Sequence, residues 1–414
     1  MSQKIQLRRG ADAVRKTIVF DQGEPVWSTD TKTFRIGDGV TSGGLSVFEC
    51  ANNSFISIIP TSGSTSRDNA SGFYLAILNA KNRRPYNKQL GALNRFSILL
   101  YPGIYDINSH FISVCSLDSP YVDIIGMAHR RDVILSHSTT LQISSGNMTF
   151  KNLSISGQIN ISNNNDGSEI GGVIIEDCDL NLGPFNYCIA SSNNILVNSR
   201  FTNCNFGNGF LYTNIYPFNN NLIENCTISG YSILNSLQSL RPCSGNTFLN
   251  SIFIDNNLGE GILNLNYAFG FDGSNLFKDC IFDGGYIMLN NVGVLAPQKA
   301  KFQNCYFKGF IGGGGDISVG TTSFEGVMEN CTIDSSNIPN KVPIVLGGIS
   351  TEPSTYAAFY NCTVIANNNA PYCVSGDTDS RSGLFIHSRF NKAIMTGITG
   401  LFGNQFNIVD SRIR

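Results

Sequence analysis

Apolar and polar positions in this chain repeat eleven times as apolar, any residue, Asn or Asp, Cys or another small residue, any residue, apolar. The clearest copies are Phe201-Thr202-Asn203-Cys204-Asn205-Phe206, Phe277-Lys278-Asp279-Cys280-Ile281-Phe282 and Phe302-Gln303-Asn304-Cys305-Tyr306-Phe307. Indexed by the fourth residue, the copies fall at Leu153, Cys178, Cys204, Cys226, Ser251, Cys280, Cys305, Cys331, Cys362, Ser388 and Ser411. Successive indices are about 26 residues apart, within the range of roughly 20–50 that marks solenoids. The residues three before and two after the index are apolar in every copy. The residue just before it is Asn, Asp (Asp177, Asp279, Asp410) or His387. Asn and Asp tolerate the left-handed backbone and close local turns with their side chains. Each copy therefore predicts a strand end, a tight bend and a new strand, with the index residue and the one two beyond it on one face.

A repeat of about 26 residues holds three short strands and three turns. Coiling such units stacks the strands in parallel, roughly 4.8 Å apart, and like side chains then line up along the axis. The expected fold is all-β: a right-handed, single-stranded parallel β-helix with a small N-terminal β module and a capping helix. The Leu-spaced signature of a leucine-rich horseshoe is absent, and the low charge with abundant Gly, Asn and β-branched residues excludes a helical repeat.

Composition changes this picture in two places. Seven of the 12 cysteines sit on the repeat index, which reads as a buried file of small hydrophobes. Neighbours one strand spacing apart lie beyond the usual Cβ separation of a disulfide, so reduced thiols and folding in a cytosol are expected. With no C-x-x-C, zinc is not expected, nor any other metal or cofactor. The net charge of −2 and 14% charged residues suggest no nucleic-acid surface. No basic, apolar leader and no bilayer-length apolar run is seen, so neither signal-peptide secretion nor membrane insertion is expected.

Residues 1–48 follow another grammar. They contain Ile5-Gln6-Leu7-Arg8-Arg9-Gly10, then Gly23-Glu24-Pro25-Val26-Trp27-Ser28-Thr29-Asp30-Thr31, then Phe34-Arg35-Ile36-Gly37-Asp38-Gly39-Val40-Thr41. These are short strands joined by Gly and Asp turns. The piece is too small for an ample core, so oligomerisation or docking should support it. The three blocks in order resemble the N-terminal module of bacteriophage tail-fibre and tropism-determinant proteins. Ala11, Val14 and Gly44 depart from that pattern, where the family has Thr, a Glu-Trp pair and Trp. The resemblance implies a trimeric virion-attachment piece ahead of a receptor-binding part, with Arg8, Arg9, Trp27 and Asp38 in the docking surface and a tail or adaptor protein as partner. It also implies a virion protein made in the host cytoplasm.

Residues 49–65 read as a polar linker. In 66–126, Asp68 or Asn69 caps a predicted helix with Phe73, Ala76, Ile77 and Ala80 on one face, followed by Phe96–Tyr101 and Pro102-Gly103-Ile104-Tyr105. Helix, strand and Pro-Gly-x-Tyr together resemble the start of pectin-lyase-like β-helix domains, where an amphipathic helix covers the open end of the first coil. The β-helix itself is expected over 127–414. The eleventh copy, ending at Ile413, shows no such cover, and an exposed last coil is a sticky edge that sister chains or another virion protein should cover.

The signature blocks of polygalacturonase-like and pectate-lyase-like enzymes are absent. The best-paired acids are Asp283 and Asp334, each three after its index and two coils apart. That is roughly 9.6 Å, near the carboxylate separation of inverting glycosidases. Lys308 holds the same place between them, so an Asp–Lys–Asp surface ladder is the simpler reading. Asp255, Glu260 and Asp272 are loop acids and further catalytic candidates. For ligand binding the candidates are Tyr212, Tyr216, Phe218, Tyr267, Phe271 and Asp272, in loops that break the repeat and mix aromatic with polar groups. The residue after the index should face outward, yet it is Ile252, Ile281 and Tyr306 on three consecutive coils. Such an apolar strip marks an interface, here the contact of a homotrimer. The expected function is a phage tail spike or fibre attaching to host surface carbohydrate. The alternatives are a polysaccharide depolymerase, as hydrolase or lyase, and a structural neck or collar fibre.

Overall fold

The computed structural model describes residues 8–413 apart from 31–33, 47–53, 81, 84, 86–87, 110–113, 163–168, 182–188, 192–194, 208–210, 214–217, 230–231, 234–243, 255–262, 265–273, 289–299, 312–325, 339–341, 347–356, 377–382, 394–405 and 410. The N-terminal residues form strands β1 (Arg8–Gly10), β2 (Pro25–Ser28), β3 (Phe34–Ile36) and β4 (Leu45–Ser46) in one sheet of that order. β1 runs parallel to β2, and the other pairs are antiparallel. Its expected all-strand character is modified by a one-turn helix α1 (Asp12–Arg15). Arg15 is buried beneath the sheet and donates to the Asp12 carboxylate and to the Gly43 carbonyl. Gly43 is needed there: its φ is +89°, and a Cβ would strike the guanidinium. Among the described side chains of the module only Phe20 and Val26 are fully buried and apolar, beside the buried Arg15 and Ser28.

The solenoid begins inside the stretch expected as linker. β5 (Phe55–Ile58) pairs in parallel with β6 (Phe96–Leu100) and starts the long sheet. Helix α2 (Ser66–Ala80) follows. Its cap is one turn earlier than expected. Thr65 Oγ1 accepts from the Asp68 amide at 3.2 Å, and Asp68 accepts from the Thr65 amide at 3.0 Å, a reciprocal capping box. Ala70, Phe73, Ala76, Ile77 and Ala80 form its buried face, as their spacing predicts. This face closes the open end of the first coil, and Asn69 Nδ2 ties the helix to the Ile104 carbonyl at 3.0 Å. Burial of each large apolar side chain there stabilises by about 1.5–3 kcal/mol.

From there the chain winds as a right-handed parallel β-helix. One face is a sheet of 14 parallel strands ending at Phe406–Val409. The other strands form two further parallel lanes, joined where Val133–Ile143, Ser154–Ile161, Ile281–Met288 and Tyr306–Ile311 run through both. A short lane, Glu169–Gly171, Ile195–Val197 and Phe218–Asn219, adds a fourth side to three coils. Every described residue just before the index has positive φ, from Asn152 at +56° to His387 at +51°. That is the left-handed bend the Asn and Asp pattern anticipated.

The register stacks like on like. Phe248, Phe277 and Phe302 are partners in adjacent strands, their rings parallel at 4.4 and 4.8 Å. Phe253, Phe282 and Phe307 form a second column at 4.8 Å per step. The index residues stand in file between the columns. Each thiol donates to a carbonyl of the preceding coil, as Cys305 Sγ does to Phe277 O at 3.4 Å. Ser388 Oγ and Ser411 Oγ do the same to Phe359 O and Phe385 O. The seven index cysteines and Cys373 are free and buried.

Candidate functional site

The strands after the index bend present alternate side chains outward. In Ile281–Met288 and Tyr306–Ile311, Phe282 and Phe307 point into the core, so Ile281, Asp283, Tyr306 and Lys308 point out. Register places Asp283 beside Lys308 and Lys308 beside Asp334. The expected apolar strip is on the surface: Ile252 is 37%, Ile281 40% and Tyr306 36% exposed. It adjoins the charged row on the same face.

The three charges do not form a symmetrical ladder. Lys308 Nζ lies 2.7 Å from Asp283 Oδ1. Asp334 instead accepts from Tyr306 Oη at 3.1 Å and from the Ser336 amide at 2.9 Å. Partial burial pushes the Asp334 carboxyl up, but the bonds from Ser336 and Tyr306 outweigh it and hold the group below its ordinary value. Burial and the Asp334 carboxylate raise the Tyr306 phenol. The hydrogen bond and charge of Asp283 raise Lys308. At neutral pH this surface thus offers an ammonium, an ionised carboxylate at Asp334 and a neutral phenol, with aromatic and aliphatic area beside them. Such a mixture can hold a ligand with apolar faces and hydroxyl edges. Among the described residues no group of three or more His, Cys, Asp or Glu is placed to hold a metal ion.

Other candidates are distributed differently. Phe218 is wholly buried, which corrects its assignment as a ligand contact: it belongs to the short fourth lane, whose in-register partner is Leu196. Tyr212 lies in Leu211–Thr213, paired with Ile189–Ser191. Asp255, Glu260, Asp272, Tyr216, Tyr267 and Phe271 lie outside the described residues. In the N-terminal module Arg9 is exposed and Trp27 half-buried. Arg8 pairs with Glu24 at 3.1 Å and sits over the Phe20 ring. Asp38 closes its own turn, accepting from the Val40 and Thr41 amides at 3.1 and 2.7 Å.

Asp179, which no sequence motif marks, is a buried carboxylate with Arg130 Nε at 3.0 Å and Arg131 Nε at 3.5 Å. Arg130 also donates to the Asn203 carbonyl at 2.8 Å, clasping successive coils. Its signal was an acid on the residue after the index of the Cys178 copy. The arginines are 48 or more residues upstream, a separation no local pattern connects.

No family model and no curated protein matches the sequence. Among solved structures, the chain is similar to the catalytic domain of a GH87 alpha-1,3-glucanase in complex with nigerose, at 13% identity and a TM-score of 0.53 over 87% of this chain and 69% of that one. A variant of the same domain with tetrasaccharides matches at 13% and 0.53 over the same shares. The A-module of an Azotobacter vinelandii mannuronan C-5 epimerase matches at 11% identity and 0.38, over 85% of this chain and 96% of that one. At such identities the glucanase likeness is one of fold, and it agrees with the register and winding above: the chain has a right-handed parallel β-helix architecture.

Proposed function

We propose that this protein engages an extended surface polysaccharide, and that it does so as the homotrimeric tail spike or fibre of a bacteriophage. The observation that carries the carbohydrate part is the half-exposed Tyr306 ring set beside Asp283, Lys308 and Asp334 on three consecutive coils. The ring and Ile281 suit the apolar face of a sugar, and the charged groups suit its hydroxyls. The phage part is supported by the three ordered blocks of residues 1–48. Val14, Val19 and Val40 are exposed on that small module, as a docking piece requires. In this reading residues 1–48 attach to a tail or adaptor protein of the particle.

A polysaccharide depolymerase is the second reading. It is favoured by the fold shared with an alpha-1,3-glucanase domain and by two carboxylates two coils apart. An inverting mechanism needs one carboxyl kept protonated, typically by an apolar setting. Asp334 is instead stabilised as the anion by two hydrogen bonds, and Asp283 faces an ammonium. The described geometry therefore favours holding over cutting. Purified full-length protein is incubated with the host's surface polysaccharide, and both binding and chain length are followed. Binding without shortening is expected, weakened about tenfold by Tyr306→Ala. Shortening by the wild type that Asp334→Asn abolishes would replace this reading with the depolymerase. Absence of any binding would reject both.

A further inference from the structure

Two outward rows run up the face that carries Tyr306. One holds the residue after each index, from Thr227 to Thr363, and the other the residue three after it, from Ser229 to Ile365. Register keeps both rows in file from coil to coil. In these rows only Asp283, Lys308 and Asp334 are charged, and every other side chain is apolar or carries a hydroxyl. Two carboxylates thus stand against one ammonium. Each is one strand spacing of about 4.8 Å from Lys308, inside a Debye length of about 8 Å, so the three charges act on a ligand together. The face is net negative.

Its hydrogen-bonding capacity is as one-sided as its charge. Tyr306 gives its single proton to Asp334 Oδ2 at 3.1 Å, so the phenol oxygen can only accept from a ligand. Asp334 takes that bond and one from the Ser336 amide, and an ionised carboxylate has about four acceptor positions. The one cation, Lys308, lies 2.7 Å from Asp283 Oδ1 and is already paired. A ligand group that only accepts, such as a carboxylate, therefore meets acceptors on both sides of a neutralised ammonium. A hydroxyl, which donates, meets partners on three consecutive coils.

We propose that the polysaccharide held on this face is neutral, its hydroxyls donating to Asp283, Asp334 and Tyr306, and that acidic chains are excluded. The inference rests on the carbohydrate reading above and names the class of glycan for that same site. A neutral sugar chain has apolar C–H faces for Tyr306 and Ile281 and hydroxyl edges for the acceptors beside them. Asp283 and Asp334 lie on either side of the Tyr306 coil, so a chain lying along the axis finds acceptors before and after the ring.

The test uses the full-length protein and two forms of the host surface polysaccharide. In one, any carboxyl groups are reduced to alcohols; in the other, primary hydroxyls are oxidised to carboxylates. Wild type should bind the reduced form, and the oxidised form at least about tenfold more weakly at low salt. Asp283→Asn removes a carboxylate from the surface and releases Lys308. It should raise binding of the oxidised form about tenfold, and added salt should erase that gain. An oxidised form bound as tightly as the reduced one, or no gain in Asp283→Asn, would overturn the inference while leaving Tyr306-dependent binding in place. Binding of neither form would reject the carbohydrate reading itself, and this inference with it.

Discussion

Asn246 donates its side-chain amide to Asn275 on the next coil, Nδ2 to Oδ1 at 2.8 Å, and both residues are wholly buried. The same Nδ2 donates to the Phe218 carbonyl one coil back at 2.6 Å. Asn246 Oδ1 accepts from the Asn221 backbone amide at 3.0 Å and from its Nδ2 at 3.1 Å. Inside an apolar core, this chain of amides satisfies the backbone groups that the corner of each coil would otherwise leave unpaired.

Asn246→Leu should therefore be costly although it is apolar. It removes the donor to the Phe218 carbonyl and the acceptor of the Asn221 backbone amide, each at about 1–3 kcal/mol, while Asn221 Nδ2 keeps the Leu196 and Asn219 carbonyls. A loss of about 3 kcal/mol or more is expected in equilibrium urea unfolding. A loss below about 1 kcal/mol would mean that water replaces the amide.

Phe277 is sandwiched between Phe248 and Phe302 and touches the second column through Phe282 at 6.0 Å. Phe277→Ala should cost about 3–5 kcal/mol. Phe277→Leu should cost much less, because it keeps most of the volume. Equal losses for the two would show that ring stacking, rather than filled space, dominates the column.

The thiol file should be inert while folded. Burial pushes the Cys178 thiol up to about 12, and the thiolate is the reactive form. Of the 12 cysteines in the chain, eight are described and buried. Titration with an aromatic disulfide reagent at neutral pH should modify no more than the remaining four. In denaturant all 12 should react.

Acid should loosen the N-terminal module. Hydrogen bonds from Lys16 and Arg15 lower the Asp12 carboxyl to about 2. The Thr41 hydroxyl and amide lower Asp38 to about 2 as well. Carboxyls depressed in the folded state contribute stability that is complete above their unfolded value near 3.8 and is lost as pH falls towards 2. Trp27 is the chain's one tryptophan and lies in β2, so its fluorescence should change across that window. Asp38→Asn should shift the change; an unaltered acid profile in that variant would remove Asp38 from the argument.

The strip of Ile252, Ile281 and Tyr306 can meet sugar or a sister chain, not both. With sugar as its partner, Ile281→Asp should weaken polysaccharide binding and leave the oligomeric state unchanged in native mass measurement. A trimer lost in the variant would assign the strip to the contact between chains.

Much of this architecture was legible before any coordinates. In a coiled repeat, residues about 26 apart in sequence become neighbours in space, so a periodic pattern is already a contact map. That is why the cysteines could be placed in file, the Asn and Asp bends at positive φ, and Ile281 on the surface. The helix face from Phe73 to Ala80 was readable for the same reason, because its period is local. The buried amides of Asn221, Asn246 and Asn275 were not read, although they recur five residues before successive indices. Polar residues beside a turn look solvated until their depth is known. Phe218 reads as a loop contact in the sequence because an aromatic in a loop-like stretch gives no sign of a short extra lane. Sequence alone therefore determined the winding, the bends and the files of like side chains, since each depends only on the repeat. Tertiary structure decided which neighbour each outward group meets: Lys308 could turn to either flanking aspartate, and it pairs with Asp283 while Tyr306 bonds to Asp334. Rows on either side are equally distant in sequence, so that choice depends on side-chain reach and burial, which a pattern of residues does not contain.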